Sequence, residues 1–308
     1  MVRHKRIMIT GSGGFVFGNF IRQVFYSKLP YTISSIDRVR DSHIIHNIYV
    51  NQDHSFYVAD VTEPHILHVI FEKERPDIVI HGAAERNIDT MVSSNLVGTQ
   101  NVINECLKID ARMIFVSSCR VYGKMKSEHA DPYEEQQQLN PKGTFAATKA
   151  AGELLVKAAK GLKYNIVRLS DNYGPWQTSG NLIPHVINSI IENQDINIYG
   201  SGYQTRDWTH VFDTCSAILT VIDNGTNEET YNITSKQEFS NIEVAQIICN
   251  TIGKGHELIK HVEKDVDIRF AMSNDKIKAH GWSPEMKLRD GIAQTYEWYM
   301  KNKWALKM

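Results

Sequence analysis

The residues with the clearest chemical potential form a glycine-rich loop near the start of the chain. Gly11 and Gly14 follow an apolar run at residues 7–10 and precede helical sequence. Glycines in this position let the main chain approach a pyrophosphate, whose charge is stabilised at the N-terminus of the next helix. Gly11, Gly14, Phe15 and Val16 are therefore candidate contacts for a dinucleotide. A tight turn without a ligand is the alternative interpretation.

An acidic residue indicates which dinucleotide this loop would bind. Asp37 ends the second predicted strand, at about the distance where a carboxylate binds the adenosine ribose hydroxyls. An acid there favours NAD over NADP, so we expect NAD as the cofactor. Two alternatives stay open, because Arg38 could receive the 2′-phosphate of NADP and Asp37 could simply cap a turn.

One residue of the following helix departs from the usual dinucleotide-binding pattern. Phe17 stands three positions after Gly14, where a small residue usually lets the helix pack closely on the sheet. We expect Gly18 to compensate by a local shift.

The other potentially reactive side chains show no spacing typical of a metal site. The cysteines lie far apart without C-x-x-C pairs, and the histidines form no ligand group. The cysteines are Cys106, Cys119, Cys215 and Cys249. We expect free thiols in a reducing compartment and no bound metal.

Length and charge exclude several classes of protein. The 308 residues can bury a substantial core. Lys and Arg (34) nearly balance Asp and Glu (35), so no global positive field exists to bind nucleic acid or an anionic membrane. The N-terminal apolar run is too short for a signal peptide or a membrane span. We expect a soluble cytoplasmic protein that holds any anionic ligand locally.

Short β-branched segments alternate with longer helical segments along the chain. Strands are predicted at residues 6–10, 32–37, 55–59, 78–81, 113–117 and 165–169, and helices at 18–27, 64–74, 97–108, 145–161 and 182–192. This repeated strand–helix–strand order predicts an α/β fold with a doubly wound parallel Rossmann sheet.

The regular alternation of predicted strands and helices ends after residue 175, which predicts a second, smaller lobe. Residues 1–173 are expected to form the NAD-binding Rossmann domain, to which residues 203–233 return. Residues 174–202 and 234–308 are expected to form a substrate-binding lobe. Because no linker is long enough to separate them, the two lobes should share a cleft.

Several separate motifs carry a more specific signal. They are the glycine loop, ADV at 59–61, HGAAE at 81–85, SS at 117–118, VYG at 121–123, RLSDNYGP at 168–175, the segment 199–213, GWSP at 281–284 and WY at 298–299. Over nearly the whole chain they resemble the extended short-chain dehydrogenase/reductase family, most closely its nucleotide-sugar 4,6-dehydratases and related epimerases. The resemblance implies NAD as the cofactor and a UDP- or dTDP-hexose as the ligand.

The resemblance assigns cofactor-binding roles beyond the glycine loop. Asp60 and Val61 are expected to line the adenine. Ala83 and Ala84 should lie beside the cofactor after the fourth strand, and Ser117 is assigned to the same site.

The resemblance also assigns the substrate end of the site. Asn172, Leu182 and Arg206 fall where the family holds the nucleotide diphosphate, and Tyr199 joins them as a substrate contact. Arg206 is the strongest candidate, because a guanidinium fork suits phosphate oxygens. The alternative is an internal ion pair between Arg206 and Asp207 beside a packed aromatic ring.

The resemblance implies a catalytic set that is incomplete here. The family uses a tyrosine as the base for the sugar hydroxyl, a lysine four residues later that binds the nicotinamide ribose, and a Ser or Thr hydroxyl. Phe145 stands at the tyrosine position, whereas Lys149 and Ser118 match. A phenyl ring cannot accept or donate the proton. Lys149 could also be a purely structural residue of an alanine-rich helix.

A second departure from the family pattern directly follows Ser118. The dehydratases carry an Asp-Glu pair there, one residue protonating the leaving 6-hydroxyl and the other removing the C5 proton. This chain has Cys119 and Arg120. The thiol could serve as an acid or base if Arg120 favoured the thiolate. A buried small side chain beside a structural arginine is the alternative.

Three interpretations of function follow. The first is an NAD-dependent enzyme resembling dTDP- or UDP-glucose 4,6-dehydratases, altered at key catalytic positions, or a C4 epimerase, which needs fewer groups. The second is a catalytically silent protein that binds NAD and a sugar nucleotide. The third is that the tyrosine was replaced deliberately to trap a complex.

Two predicted helices indicate self-association. The helices at residues 97–108 and 145–160 have apolar faces of the kind that relatives pair across a dimer, although these faces could also cover the sheet. We expect a homodimer.

Overall fold

A computed structural model of the protein describes residues 4–38, 54–125, 127–264 and 267–307. Its strands are β1 (Lys5–Thr10), β2 (Tyr31–Asp37), β3 (His54–Val58), β4 (Ile78–His81), β5 (Arg112–Ser118), β6 (Tyr164–Leu169), β7 (Asp171–Tyr173), β8 (Ile196–Tyr199), β9 (Thr205–His210), β10 (Glu229–Ile233), β11 (Glu238–Ser240), β12 (Ile259–Val262) and β13 (Arg269–Phe270). Its helices are α1 (Phe15–Tyr26), α2 (Pro64–Glu74), α3 (Ile88–Val92), α4 (Gly98–Ile109), α5 (Thr144–Ala158), α6 (Leu182–Glu192), α7 (Val211–Asn224), α8 (Asn241–Ile252), α9 (Asp275–Ala279) and α10 (Leu288–Lys301). A π-helical turn, Ser93–Val97, joins α3 to α4, and a short 3₁₀ turn, Cys119–Tyr122, follows β5.

The large sheet is parallel throughout its described strands, in the order β10-β6-β5-β4-β1-β2-β3. The chain builds β2 and β3 on one side of β1 and then crosses to β4 on the other side. In doubly wound sheets the ligand lies outside the carboxyl ends of the strands where the order reverses in this way. The reversal therefore brings the loops after β1 and β4 together at a candidate site.

Successive side chains of β1 enter two different cores. Ile7 and Ile9 pack with α1 and α7 on one face of the sheet, and Met8 packs with α2 and α4 on the other. Side chains of a strand alternate between faces, and helices cover both faces of a parallel sheet. This explains why these strands read as nearly continuous apolar runs.

The predicted segments agree with the observed elements, which confirms the predicted fold class. The largest differences in their bounds are at α1, which begins at Phe15 rather than residue 18, and at α5, which ends at Ala158 rather than residue 161. The seventh strand of the large sheet, β10, was not among the predicted strands. It pairs with β6 in parallel from Glu229 to Ile233.

The remaining elements pack on a separate core. Strands β7, β11 and β13 pair with β9, and β8 pairs with β12. Helices α6, α8 and α10 meet around Ile187, Ile248 and Ile292. Helix α7 lies with the large sheet, as β10 does. The exact division into two lobes stays a prediction.

The bulky Phe17 is accommodated by Gly82 at the end of β4. A Cβ atom on Gly82 would lie 2.0 Å from Cε2 of Phe17, so the ring fills the space of the missing side chain. Gly18 keeps a regular helical bond, its N–H donating to the Gly14 carbonyl at 2.9 Å. The predicted compensating shift at Gly18 is therefore wrong, because the neighbouring strand supplies the room instead.

No helix in the described part of the chain combines the length and apolar character needed to cross a membrane.

Candidate nucleotide-binding cleft

The glycine loop after β1 approaches the loop after β4 so closely that only glycine fits. Gly11 has a φ of +73°, and a Cβ atom there would lie 2.6 Å from the Ala83 nitrogen. Gly14 is the N-cap of α1 and no side chain bonds to that cap. The first-turn N–H groups of α1 therefore keep their ability to bind an anion. This arrangement fits the pyrophosphate of a dinucleotide.

Asp37 lies beside the glycine loop at the end of β2. Its Oδ2 atom accepts a hydrogen bond from the Gly13 N–H at 2.7 Å. The carboxylate therefore braces the loop and borders the same concave surface. Both the ribose contact and the capping interpretation of Asp37 are compatible with this geometry.

Arg38 is held by two carboxylates at the mouth of the site. Its guanidinium forms an ion pair with Glu85 and lies 3.8 Å from Asp60. Backbone N–H donation from Asn87, together with Arg38, lowers the pKa of Glu85 and keeps that carboxylate ionised. Two acids around Arg38 would repel the 2′-phosphate of NADP. This charge arrangement favours NAD.

Eight of the predicted cofactor residues line one end of a cleft in the described structure. They are Gly11, Gly14, Asp37, Arg38, Asp60, Val61, Ala83 and Ala84. The cleft continues into a wider part that is lined, among other residues, by Phe15, Val16, Ser117, Ser118, Arg120, Phe145 and Asn172. Gly11, Gly14 and Gly82 border both parts, so the two parts form one continuous cleft.

Lys149 lies one helical turn after Phe145 on α5 and is 4 % exposed. Its Nζ atom is 4.4 Å from the ring centroid of Phe115. Burial lowers the pKa of Lys149 to about 8, against the opposing field of Glu153. The ammonium group is thus a poorly solvated cation. Unlike the other predicted cofactor residues, Lys149 is not among the residues that line either part of the cleft, so its contact with the cofactor stays a prediction.

Phe145 lines the wider part of the cleft and is half-buried. The guanidinium carbon of Arg86 lies 5.2 Å from the Phe145 ring centroid, a cation–π arrangement. The ring offers no proton donor or acceptor at this position. Ser118 lines the same part of the cleft, and its Oγ accepts from the Arg120 N–H at 3.3 Å.

Cys119 is buried, in contrast to its neighbours Ser118 and Arg120. Burial, aided by the charge of Asp171, raises the pKa of the Cys119 thiol to about 12, although Arg120 acts in the opposite direction. The thiol is therefore neutral near pH 7. This disfavours the thiolate interpretation and favours the alternative of a buried small side chain.

Arg206 is 8 % exposed and is not among the residues that line either part of the cleft, although the residues it contacts, Asp171, Asp267 and Phe270, line the wide part. Its guanidinium donates to the carbonyl oxygens of Thr205 at 2.8 Å and of Asp267 at 3.2 Å, and it lies 3.8 Å from Asp171. The predicted alternative partner, Asp207, is instead surrounded by donors from residues 234–237. The internal ion pair of Arg206 is therefore formed with Asp171 rather than Asp207, beside the Phe270 ring at 5.2 Å, and the purely structural alternative for Arg206 stays open.

The other predicted substrate contacts fall into two neighbouring groups. Asn172 lines the wide part of the cleft, where its side-chain amide donates to the Ser170 carbonyl at 3.0 Å. Leu182 and Tyr199 line an adjoining pocket. Asn181, the N-cap of α6, borders both spaces. The wide part of the cleft and this pocket therefore adjoin at Asn181.

A buried network beneath the cleft was not predicted from the sequence. Glu153 is fully buried and accepts from Ser117 Oγ at 2.5 Å and from Arg168 at 2.7 and 3.0 Å. Arg168 also donates to the Tyr122 hydroxyl at 2.6 Å. The network ties α5 to β5 and β6, and so positions Lys149 and Ser118. Only the spacing of four residues between Lys149 and Glu153 could have indicated it.

The sheet and its cleft define an α/β protein of the dinucleotide-binding class. The model of the NAD dependent epimerase/dehydratase family matches residues 7–234, and the chain belongs to this family.

Its similarity to individual relatives extends over almost the whole chain. A dTDP-glucose 4,6-dehydratase of Streptomyces niveus is 30% identical over 319 residues, covering 97% of this chain and 94% of the relative. One of Haemophilus influenzae is 31% identical, covering 96% of this chain and 98% of the relative. The crystal structure of a dTDP-glucose 4,6-dehydratase from Bacillus anthracis in complex with NAD matches with a TM-score of 0.92 at 28% identity, covering 97% and 98%.

These similarities confirm the predicted family and the predicted fold class. They also confirm NAD as the family's cofactor, which is bound in the Bacillus anthracis structure. The roles of individual residues and the homodimer stay predictions.

Proposed function

We propose that the protein binds NAD and a nucleoside-diphosphate hexose in one cleft, as a 4,6-dehydratase-like scaffold altered at the groups that transfer protons. Two relatives that align with nearly the whole chain carry the name dTDP-glucose 4,6-dehydratase. The observation that carries the proposal is the continuity of the cleft, which has Gly11, Gly14 and Gly82 on the border of both parts. A ligand in the wide part would lie directly beside a dinucleotide in the narrow part.

Different residues of the chain would bind the two ligands. The first turn of α1 would hold the pyrophosphate, and Asp37 the adenosine ribose. Arg206 and Asn172 would hold the sugar nucleotide's diphosphate, and Ser118 would bind a sugar hydroxyl. NAD, when bound, would accept a hydride from C4 of the sugar.

Proton transfer is the step that this chain supports poorly. Phe145 cannot remove the proton of the C4 hydroxyl, and the neutral thiol of Cys119 does not replace an acid–base pair. Loss of an acid–base group typically costs about 10²- to 10⁴-fold in rate. We therefore expect binding of both ligands with C4 oxidation that is slow or absent.

Restoring the hydroxyl tests the proposal. Phe145→Tyr, supplied with NAD and dTDP- or UDP-glucose, should raise C4 oxidation about 10²-fold or more, because it restores the missing base. The measurement is NADH absorbance together with detection of a 4-keto sugar. The matched control is Phe212→Tyr, which adds the same hydroxyl to a ring outside the lining of the cleft.

Each outcome of this experiment has a distinct meaning. A 4-keto product from Phe145→Tyr supports the enzyme scaffold, and further conversion separates elimination from C4 epimerisation. A variant that binds both ligands but stays inert supports the silent binding protein instead. Failure of NAD or of every UDP- and dTDP-hexose to bind contradicts the proposal.

We further propose that the protein is a homodimer. Helices α4 and α5 keep large apolar side chains in contact with solvent, including Leu107 at 41 % and Leu154 at 64 % exposure. Exposed apolar side chains on neighbouring helices are typical of a self-complementary interface.

A further inference from the structure

Two arginines and two aspartates form a group that we call the Arg120 cluster: Arg120, Asp171, Arg206 and Asp267. Arg120 donates through Nη2 to Asp171 at 3.2 and 3.4 Å, and its Nη1 atom lies 3.8 Å from Asp267 Oδ2. The guanidinium also stacks on Phe270, with 4.4 Å between its central carbon and the ring centroid. Arg120 is therefore held in a fixed position from behind.

The side chain of Arg120 nevertheless faces the cleft. It is 33 % exposed and lines the wide part together with Ser118 and Asp171. A guanidinium has five N–H donors in a rigid fork, so the bonds through Nη2 leave donors for a ligand. The aspartates thus orient the cation without using up its capacity.

Arg120 lines the same part of the cleft as the residues proposed to bind the sugar. Ser118, two residues earlier, and Phe145 both line this wide part. Arg206 shares both Asp171 and the ring of Phe270 with Arg120. A sugar nucleotide with its diphosphate at Arg206 and a sugar hydroxyl at Ser118 would carry its hexose ring past Arg120.

We propose that the hexose carries a carboxylate and that Arg120 binds it, so that the substrate class is a nucleoside-diphosphate hexuronate. This inference rests on the proposed function, because it takes the cleft to be a sugar-nucleotide site. A planar carboxylate matches the guanidinium fork with two parallel hydrogen bonds, whereas a neutral hydroxymethyl group does not. A C6 carboxylate also leaves no 6-hydroxyl to eliminate, in agreement with the altered Cys119-Arg120 pair.

Binding measurements on the NAD-loaded full chain test the inference. UDP and dTDP are compared first, and the nucleotide that binds tighter is used for three ligands: the free diphosphate, its glucose ester and its glucuronate ester. The glucuronate should bind about tenfold or more tighter than the glucose ester, because a charge-assisted bond forms only with the carboxylate. Calorimetry gives each Kd.

Substitution of Arg120 assigns the effect to its side chain. Arg120→Gln should abolish the preference for glucuronate over glucose while leaving the affinity for the free diphosphate within about threefold. Arg120→Lys keeps the charge without the fork and should retain only part of the preference. The matched control is Lys142→Gln, which removes a different cation from the lining of the cleft and should keep the preference. An unchanged NAD affinity shows that each variant is folded.

The results separate this inference from the proposed function. If neither UDP nor dTDP binds, the proposed function fails, and the inference fails with it. If the nucleotides bind but the wild-type protein does not prefer glucuronate, only the hexuronate inference is overturned. If Arg120→Gln weakens all three ligands equally, Arg120 contacts the diphosphate and the inference is again overturned.

Discussion

At Gly82 and Phe17 the small and the large residue of the helix–sheet contact have changed places. The close approach of helix to sheet normally depends on a small residue in the helix. Here the helix carries a large ring, and the strand end carries the glycine that receives it. The pair also keeps the loop after β4 close to Gly11, so cofactor geometry depends on a packing contact outside the glycine loop.

This exchange predicts coupled stabilities. Gly82→Ala should destabilise the protein by about 2 kcal/mol or more, since the new methyl group would overlap the Phe17 ring. Phe17→Ala should also destabilise it, by about 3–5 kcal/mol, because it leaves a cavity. The double variant should lose less unfolding free energy than the sum of the two single losses, by about 1 kcal/mol or more, as measured by chemical denaturation. Strict additivity would contradict the contact.

At the same scale, some site residues could be predicted from the sequence and others could not. Gly11, Asp37 and Arg38 were identified because their spacing follows a strand and a helix of known geometry. The interpretation of Cys119 depended on burial, which raises the pKa of its thiol and which no local pattern reveals. Asp267 enters the cleft from a distant part of the chain, so neighbouring residues gave no indication of it.

Helices α4 and α5 carry the proposed dimer contact at the scale of elements. Their inner faces cover the large sheet through residues such as Val102 and Val156, which are fully buried. Leu107 and Leu154 remain exposed on the same helices. Each of these helices can therefore cover the sheet with one face and contact a second subunit with the other.

A charge introduced into this surface tests the dimer. The wild-type protein should have the mass of a dimer by light scattering at micromolar concentration, and Leu154→Glu should shift it towards monomer, because two copies of a buried carboxylate would face the interface. The matched control, Val69→Glu, changes an apolar residue of α2 that is 66 % exposed and should leave the dimer intact. A monomeric wild-type protein contradicts the proposal.

Elements were predictable where their sequence pattern was local. Strands β1 to β6 are short apolar runs bounded by turns, and their helices have clear periodicity, so the order of elements already indicated a doubly wound sheet. Strand β10 reads Glu-Thr-Tyr-Asn-Ile, and its buried Asn232 is bonded by Tyr122 and Tyr133, which are distant in sequence. The pairings of β9 with β7, β11 and β13 join segments far apart in sequence, and no local pattern specifies such pairings.

For the whole molecule, buried ionisable groups link stability to pH. Burial lowers the pKa of His210 to about 4, and burial together with Lys149 lowers the pKa of His81 to about 3. An unfolded histidine has a pKa of about 6.5, so between this value and about pH 4 the unfolded state binds protons that the folded state does not. The two histidines therefore contribute stability that is lost as the pH falls through this range. Asp207, whose pKa burial raises to about 6, and Glu135 and Asp213, whose pKa burial also raises, act in the opposite direction.

The contribution of His81 can be measured separately. His81 bonds to Thr10 Oγ1 at 2.7 Å and to Thr99 Oγ1 at 3.0 Å, contacts that a glutamine amide can partly replace. His81→Gln should reduce the loss of unfolding free energy by up to about 1.4 kcal/mol per pH unit between pH 6 and 4. The readout is the slope of denaturation free energy against pH, which is independent of any constant cost of the substitution. An unchanged slope would show that His81 is protonated in the folded state.

The central claim is that a single cleft holds NAD and a second, sugar-bearing diphosphate. The most direct measurement is calorimetric titration of NAD, and then of UDP and dTDP, into the wild-type protein and Arg206→Ala. The account predicts that Arg206→Ala binds NAD as the wild type does but loses about 100-fold or more in affinity for the diphosphate, because charge-assisted bonds are removed. Equal affinity of both proteins for UDP and dTDP would contradict it.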